Sequence, residues 1–225
     1  MHLLLLLPFF ILSPSVDDVE IIPITHGSLI LKWENKVVHI DPWSKGNYQG
    51  QPQADLILVT DIHGDHMDAE QIEKVSKSDT VVIAPAAVQQ TVKQAQIMSN
   101  GEEKTIMGIQ IQAVPMYNIK RGPEEGKLYH PKGRGNGYIL TFGNRRIYIS
   151  GDTECVSEME NLKDIDAAFV CMNLPYTMTP EEAAGCVNSF KPGVVYPYHY
   201  RDSDMDAFQK AVTAPGVKVE LLDWY

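Results

Sequence analysis

A chain of 225 residues with 44% apolar content has room for one large domain or two small ones around a sizeable core. A net charge of -10 and a pI near 5.1 set its surface against phosphate backbones, which argues against nucleic acid as a partner. Three cysteines, Cys155, Cys171 and Cys186, with no C-x-x-C, are too few for a disulfide framework and disfavour a cysteine zinc site.

The N-terminus differs from the rest. Leu3 to Leu12 reads LLLLLPFFIL. Crossing a bilayer needs roughly 20 apolar residues, and Pro8 interrupts this shorter run. Its length is that of a signal-peptide core. Residues 1–16 are therefore read as a signal peptide, and 17–225 as a single domain with no membrane span. On that reading the protein is periplasmic or extracellular if the segment is cleaved and cytoplasmic otherwise. The competing reading is a hydrophobic strand or membrane-leaning tail that stays attached, since the free amine is the only positive charge ahead of the run and no A-x-A site follows it. One disulfide and one free thiol can be drawn in three ways. Cys171 and Cys186 read as buried thiols, and Cys155 has no assigned role.

Beyond Asp17 the first half is rich in short β runs: VEIIPI, SLILKW, KVVHI and ADLILV. SLILKW and VVHI read as a hairpin with ENK as a three-residue connection. Asp68 to Lys77 is predicted as a helix, with Asp68 as N-cap and Ile72 and Val75 inside. TVVIAP is a buried strand, and Ala86 to Ile97 a second helix. The second half opens with strands in IMGIQIQAVP and a glycine-rich stretch, RGPEEGKLYHPKGRGNG. YILTF and RRIYIS then form a hairpin across Gly143-Asn144. AAFVCMN is another buried strand. Thr179, Pro180 and Glu182 open a helix with a capping box. GVVYPYHY is a strand, Ser203 caps a last helix, and VKVELL is the last strand. Strands followed by helix–strand units in each half predict two facing sheets with helices outside. Polar residues then gather where strand ends meet loops at one rim.

The densest chemistry is TDIHGDHMD, Thr60 to Asp68, directly after ADLILV. Imidazole nitrogens and carboxylate oxygens are good ligands for zinc and similar divalent ions. Asp61 and His63, two apart, can point to one side of an extended segment, whereas the adjacent Asp65 and His66 must point elsewhere. That spacing suits two neighbouring metal positions better than one. His130 in YHPKGRGNGY, Asp152 in ISGDTE and His199 in VVYPYHY add further candidates. Taken singly, the three have bland readings as a surface histidine, a turn aspartate and a core histidine.

The order D-x-H-x-D-H, then H, then GDT, then H resembles the metallo-β-lactamase superfamily from about Val19 to the C-terminus. THGSLILKW, HIDPW, HPKGRGNGY and GDTE resemble its ascorbate-phosphate lactonase-like branch. The resemblance implies an α/β fold, an αββα four-layer sandwich, with the site at one rim of the sheets. The chain departs from the usual H-x-H-x-D-H motif by placing Asp61 where the first histidine stands.

Carried onto this chain, the resemblance implies that Asp61, His63 and His130 hold a first metal. Asp65, His66 and His199 hold a second, and Asp152 bridges the two. Asn118 is a rival to His130. Zn2+ is the expected cofactor, one or two per chain with two favoured, and Mn2+ is an alternative. The competing outcome is one tight ion at Asp65, His66, Asp152 and His199. A bound ion lowers the pKa of water from ~15.7 to about 7, and Asp65 is the expected catalytic residue, orienting the hydroxide or taking its proton. His26 and Asp41 are expected beneath the site, orienting ligands or meeting substrate. Asn173, Tyr176, Tyr200, Arg201, Lys132 and Arg134 are candidates for recognising an anionic substrate. The resulting function is a metal-dependent hydrolase of a small ester, lactone or phosphoester. The alternative is a non-hydrolytic metal- or ligand-binding member of the fold. A small-molecule substrate is the expected partner, and a homo-oligomer is allowed because this branch often assembles.

Overall fold

The computed structural model describes residues 15, 16 and 18–225. The run Leu3–Leu12, and with it the core of the expected signal peptide, lies outside the described residues. In chain order the first half forms β1 (Ser15–Val16), β2 (Val19–Thr25), β3 (Ser28–Trp33), β4 (Lys36–Ile40), β5 (Ala54–Leu58), α1 (Ala69–Val75), β6 (Ser76–Ala84), α2 (Ala86–Gln89) and β7 (Gln96–Ile97). The second half forms β8 (Glu103–Ile106), β9 (Ile109–Met116), β10 (Gly135–Phe142), β11 (Arg145–Ile149), α3 (Ser157–Glu160), β12 (Ala167–Cys171), α4 (Pro180–Phe190), β13 (Val194–Tyr198), α5 (Met205–Ala211) and β14 (Lys218–Val219).

Each half builds one sheet by the same rule. β1 to β4 pair antiparallel through short turns, then β4 to β7 pair parallel through longer crossovers. β8 to β11 and then β11 to β14 repeat that order of pairing, except that the long segment 117–134 joins β9 to β10. Alternation along the strands explains why the sheets stack. Leu56 and Leu58 of β5 and Ile83 of β6 point into the main core between the sheets. Ile57 and Val59, with Val82 and Ala84, point the other way, onto Ile72 and Val75 of α1 and Val88 of α2. Both faces of the parallel strands are thus covered, as their near-continuous apolar runs require. On the second sheet Tyr148 of β11 meets Phe190 of α4 edge-on. The arrangement is the four-layer α/β sandwich that the sequence predicts.

Several local expectations are corrected. The β3–β4 turn has two residues, Glu34 and Asn35, because Trp33 pairs with Lys36. Glu34 takes a positive φ of 52° there. The helix expected over Ala86–Ile97 ends at Gln89, since Gln96–Ile97 instead adds a strand beside β6. Asp204, not Ser203, caps α5: its carboxylate accepts from the Ala207 N–H at 2.9 Å, while the Ser203 hydroxyl donates to the Met172 carbonyl. The final run VKVELL pairs only over Lys218–Val219. Cys186 is not a free buried thiol but bonds to Cys155, with Cα atoms 5.6 Å apart. Cys171 is the buried free thiol, and burial pushes it up to about 12. The capping box at Thr179 and Glu182 is present as read.

One buried histidine away from the site carries a pH prediction. His39 on β4 donates from Nε2 to the Pro52 carbonyl at 3.0 Å and lies against Tyr48. Burial lowers its pKa from 6.5 to about 4. Between those values the unfolded chain binds more protons, so stability falls as pH falls through this window. Urea unfolding at pH 7 and pH 5 is expected to show about 2 kcal/mol of this loss in the wild type. His39→Gln, which keeps a donor for Pro52, should lose less between the two pH values by about that amount. Equal losses in the two proteins would refute the assignment.

Candidate metal centre

The candidate residues come to one rim because all but His130, which lies in the long β9–β10 loop, directly or closely follow a strand. His26 follows β2, Asp41 follows β4, and Asp61 to His66 follow β5. Asp152 follows β11, Asn173 follows β12 and His199 follows β13. The chain turns sharply at three of these points. His26, Asp41 and His199 have φ of 52°, 44° and 51°, a region that non-glycine residues occupy at a cost of order 1–3 kcal/mol each. Gly27 lets the rings approach: a Cβ there would lie 3.1 Å from His199 Cδ2 and 3.5 Å from His66 Cε1. Gly151, beside Asp152, has φ +60°, and a side chain there would collide with Met116.

Buried acceptors aim the histidines. His66 Nδ1 donates to Asp41 Oδ2 at 2.7 Å, and Asp41 also accepts from the Thr60 amide and hydroxyl at 2.7 and 2.5 Å. Asp41 and His66 are fully buried. This carboxylate–imidazole pair leaves His66 Nε2 facing the site. His130 Nδ1 donates to Asn118 Oδ1 at 2.7 Å, which turns its Nε2 inward in the same way. Asn118 is therefore a support for His130 rather than a rival to it. Asn118 is itself held by the buried Glu154, which also accepts backbone N–H groups from Ile119, Lys120 and Arg121. Thr60 and Glu154 were not singled out by sequence reasoning. A threonine at a strand end and a loop carboxylate carry no signal of these contacts.

Two of the resulting groups share His199. His66, Asp152 and His199 offer ligand atoms all within 4.8 Å of one another, and so do His26, Asp65 and His199. His66 Nε2 stands 3.4 Å from Asp152 Oδ2, and His199 Nε2 stands 3.5 Å from Asp152 Oδ1. Asp65 Oδ2 lies 3.3 Å from His26 Nε2 and 3.4 Å from His199 Nε2. The sequence expectation grouped Asp65 with His66 and His199; the geometry pairs Asp65 with the close, tilted rings of His26 and His199, whose centroids are 3.6 Å apart. Asp61, His63 and His130 make a third group within 4.8 Å. His130 Nε2 is nearer Asp152 Oδ2, at 3.3 Å, than Asp61 Oδ2, at 3.9 Å.

The donors fit a divalent ion best around Asp152. Among the described residues, His26 Nε2, His66 Nε2, Asp152 Oδ1 and both ring nitrogens of His199 are buried without a hydrogen-bond partner. Such atoms are costly to leave alone. Ligand bonds of about 2.0–2.2 Å in tetrahedral zinc sites separate neighbouring ligand atoms by about 3.3 Å, and the Asp152 contacts fall near that spacing. The electrostatics agree. Burial alone would raise the Asp152 carboxyl, but His199, His66 and His130 outweigh it and hold it well below the usual range. Burial likewise opposes ionisation of Asp65, and His199 and His26 outweigh it. Burial disfavours a charged His66 ring, yet Asp152 and Asp41 raise its proton affinity well above that of free imidazole. A cation is what this excess of carboxylate attracts.

A cavity of about 240 Å³ gives access to Asp65, Asp152, His130 and His199. Asn173, Tyr176 and Arg201 line it, as the sequence predicts for rim loops. Arg201 also lines a neighbouring cavity of about 500 Å³ with His26, Trp43, Lys45 and Tyr225. Tyr225 ties this region to the site, since its hydroxyl meets His26 Nδ1 at 2.8 Å and accepts from the Arg201 amide at 2.9 Å. Tyr200 packs on Tyr225 and is not among the residues lining the site cavity. Two expected anion contacts are engaged elsewhere. Lys132 Nζ binds Glu158 at 2.7 Å and sits over Tyr117, and Arg134 forms a two-pronged ion pair with Asp61.

Comparison with known proteins agrees with this geometry. A family profile described as "Beta-lactamase superfamily domain" matches residues 20–199, a span containing every candidate metal ligand. A metal-dependent hydrolase of Nanoarchaeum equitans is 30% identical over 209 residues, covering 88% of this chain and 94% of the relative. A crystal structure of a candidate metal-dependent hydrolase from Parabacteroides distasonis superimposes with a TM-score of 0.85 at 43% identity, covering 90% of this chain and 92% of that one. A metallo hydrolase from Ignicoccus hospitalis, at 23% identity and a TM-score of 0.75, shares the fold over 92% of this chain and 95% of its own. On the profile match and the shared architecture, this chain belongs to the metallo-β-lactamase superfamily.

Proposed function

We propose that the protein is a metal-dependent hydrolase of a small ester, lactone or phosphoester, with zinc as its ion. The observation that carries this reading is the convergence of partnerless buried atoms from His66, Asp152 and His199 beside an open cavity. Two imidazoles and a carboxylate suit zinc, with manganese the nearest alternative. A divalent ion held there supplies a Lewis acid for a carbonyl or phosphoryl oxygen and acidifies water. The chain's own residues supply the rest. Asp41 and Asn118 keep His66 and His130 in one tautomer. Asp65, partly exposed in the cavity and ionised, is placed to orient an attacking water and take its proton. Arg201, for which no carboxylate partner is seen among the described residues, is placed to take an anionic part of the substrate. Similarity to proteins described as metal-dependent hydrolases supports the reaction class.

Export to an oxidising compartment is part of the proposal. The Cys155–Cys186 pair supports it, because disulfides persist there and are rare in the cytosol.

The test is a hydrolysis screen on zinc-loaded protein with aryl esters, lactones and an aryl phosphodiester, alongside a chelator-treated sample. Turnover of one class is expected, abolished by the chelator and restored by zinc. In His199→Ala zinc should not restore it. A folded, metal-loaded protein inert toward all three classes would overturn the hydrolase reading in favour of a binding role.

A further inference from the structure

We infer that the Asp61–Arg134 ion pair occupies the first metal position of this chain, which therefore binds one divalent ion, at His66, Asp152 and His199. The inference rests on the metal-dependent reading above and concerns its stoichiometry.

Asp61 is the residue by which the chain departs from H-x-H-x-D-H, and it is fully buried. Arg134 Nε donates to its Oδ1 at 3.0 Å and Nη2 to its Oδ2 at 2.9 Å. His63 Nδ1 contacts the same Oδ2 at 2.7 Å. A carboxylate oxygen has two in-plane lone pairs. Oδ2, the oxygen that faces His63 and His130, thus has both taken. With Nδ1 turned to Asp61, His63 keeps only Nε2 for an ion, and an ion at this position would find no free lone pair on the Asp61 oxygen beside it. The 2.7 Å separation is a close ion-pair contact, shorter than the roughly 3.3 Å between neighbouring ligands of a tetrahedral zinc ion. The contrast with the Asp152 group is in the same atoms' accounting: there the inward-facing Nε2 atoms of His66 and His199, and Asp152 Oδ1, have no partner.

Arginine suits this role where lysine would not. Its planar fork matches both carboxylate oxygens and its charge is not lost near neutral pH. A histidine at position 61 would present a neutral ligand. An aspartate there adds a negative charge, and Arg134 cancels it from the turn just before β10. A second cation placed beside that guanidinium would be repelled, and drawing Asp61 toward it would strip a buried ion pair.

The experiment is metal counting on the full chain. Protein is stripped with a chelator, reloaded with excess Zn2+, desalted and measured by elemental mass spectrometry, with circular dichroism confirming the fold. About one equivalent is expected in the wild type, near zero in His199→Ala, and about two in Arg134→Met, where Asp61 is released. Cobalt titration of the wild type, read by its visible absorption, should saturate at one equivalent; this settles the count independently if Arg134→Met does not fold. Two equivalents in the wild type would overturn the inference while leaving the hydrolase reading intact, since the Asp61–Arg134 pair would then act as a histidine-like neutral ligand. One equivalent in a folded Arg134→Met would overturn the part given to Arg134. No metal in folded wild type would overturn the metal-dependent reading itself.

Discussion

Asp152→Ala is expected to lose the bound ion and at least roughly 10³-fold in turnover, the largest effect of any single substitution at this site. The carboxylate is the one group that touches three of the inward-facing histidines: His66 at 3.4 Å, His130 at 3.3 Å and His199 at 3.5 Å. Removing it leaves those three imidazoles with no anion common to them, and His66 and His199 alone no longer close that group. A metal ion's transition-state stabilisation amounts to several kcal/mol, and each 1.4 kcal/mol or so is tenfold in rate. Asp152→Asn keeps the size but loses the charge, and should behave similarly. Elemental analysis of the two variants, with thermal unfolding to confirm that they fold, checks this. Stoichiometric zinc in Asp152→Ala would show that the ion sits elsewhere.

Asp41→Asn is expected to weaken zinc binding by about 10–100-fold without contacting the ion. Asp41 accepts the Nδ1 proton of His66 and two donors from Thr60. An amide NH2 facing His66 Nδ1 would favour the other tautomer, which puts the proton on Nε2, the nitrogen meant for the ion. Asp41→Ala goes further. It leaves the Thr60 amide without an acceptor and the His66 Nδ1 with only the Thr60 hydroxyl, 3.0 Å away, in a fully buried pocket, and is expected to cost about 3–5 kcal/mol of stability as well. Competition against a chromophoric chelator separates the variants: Asp41→Asn should lose affinity with its unfolding midpoint nearly kept, whereas Asp41→Ala should lose both. Wild-type zinc affinity in Asp41→Asn would rule out the positioning role.

How legible the molecule was depends on how local each signal is. Strands with one buried face announce themselves by alternation or by short apolar runs, so β2 to β6 and β9 to β13 were readable, and so was the capping box at Thr179. The short elements were not. Gln96–Ile97 is a strand only because the edge of β6 is free to receive it, and nothing within residues 86–97 says so. The disulfide was likewise hidden, since Cys155 and Cys186 are 31 residues apart and are brought together by the packing of α4.

The sequence by itself determined the chemistry on offer. It placed D-x-H-x-D-H, Asp152 and His199 at strand ends and His130 in a glycine-rich loop, resembled one superfamily, and marked Asp61 as a departure. Its acidic balance and residue types were enough to point to a divalent ion and a small substrate. Only the tertiary structure decided which of these atoms are free to bind and which are already satisfied. His26 joined Asp65, Asn118 moved from rival to support, and Arg134 turned from a substrate contact into the partner of Asp61. The physical reason is that ligand capacity belongs to the residue type, but a lone pair is available only if no neighbour in space has claimed it. Arg134 and Asp61 are 73 positions apart, so the claim is made across the fold and leaves no trace in either local motif.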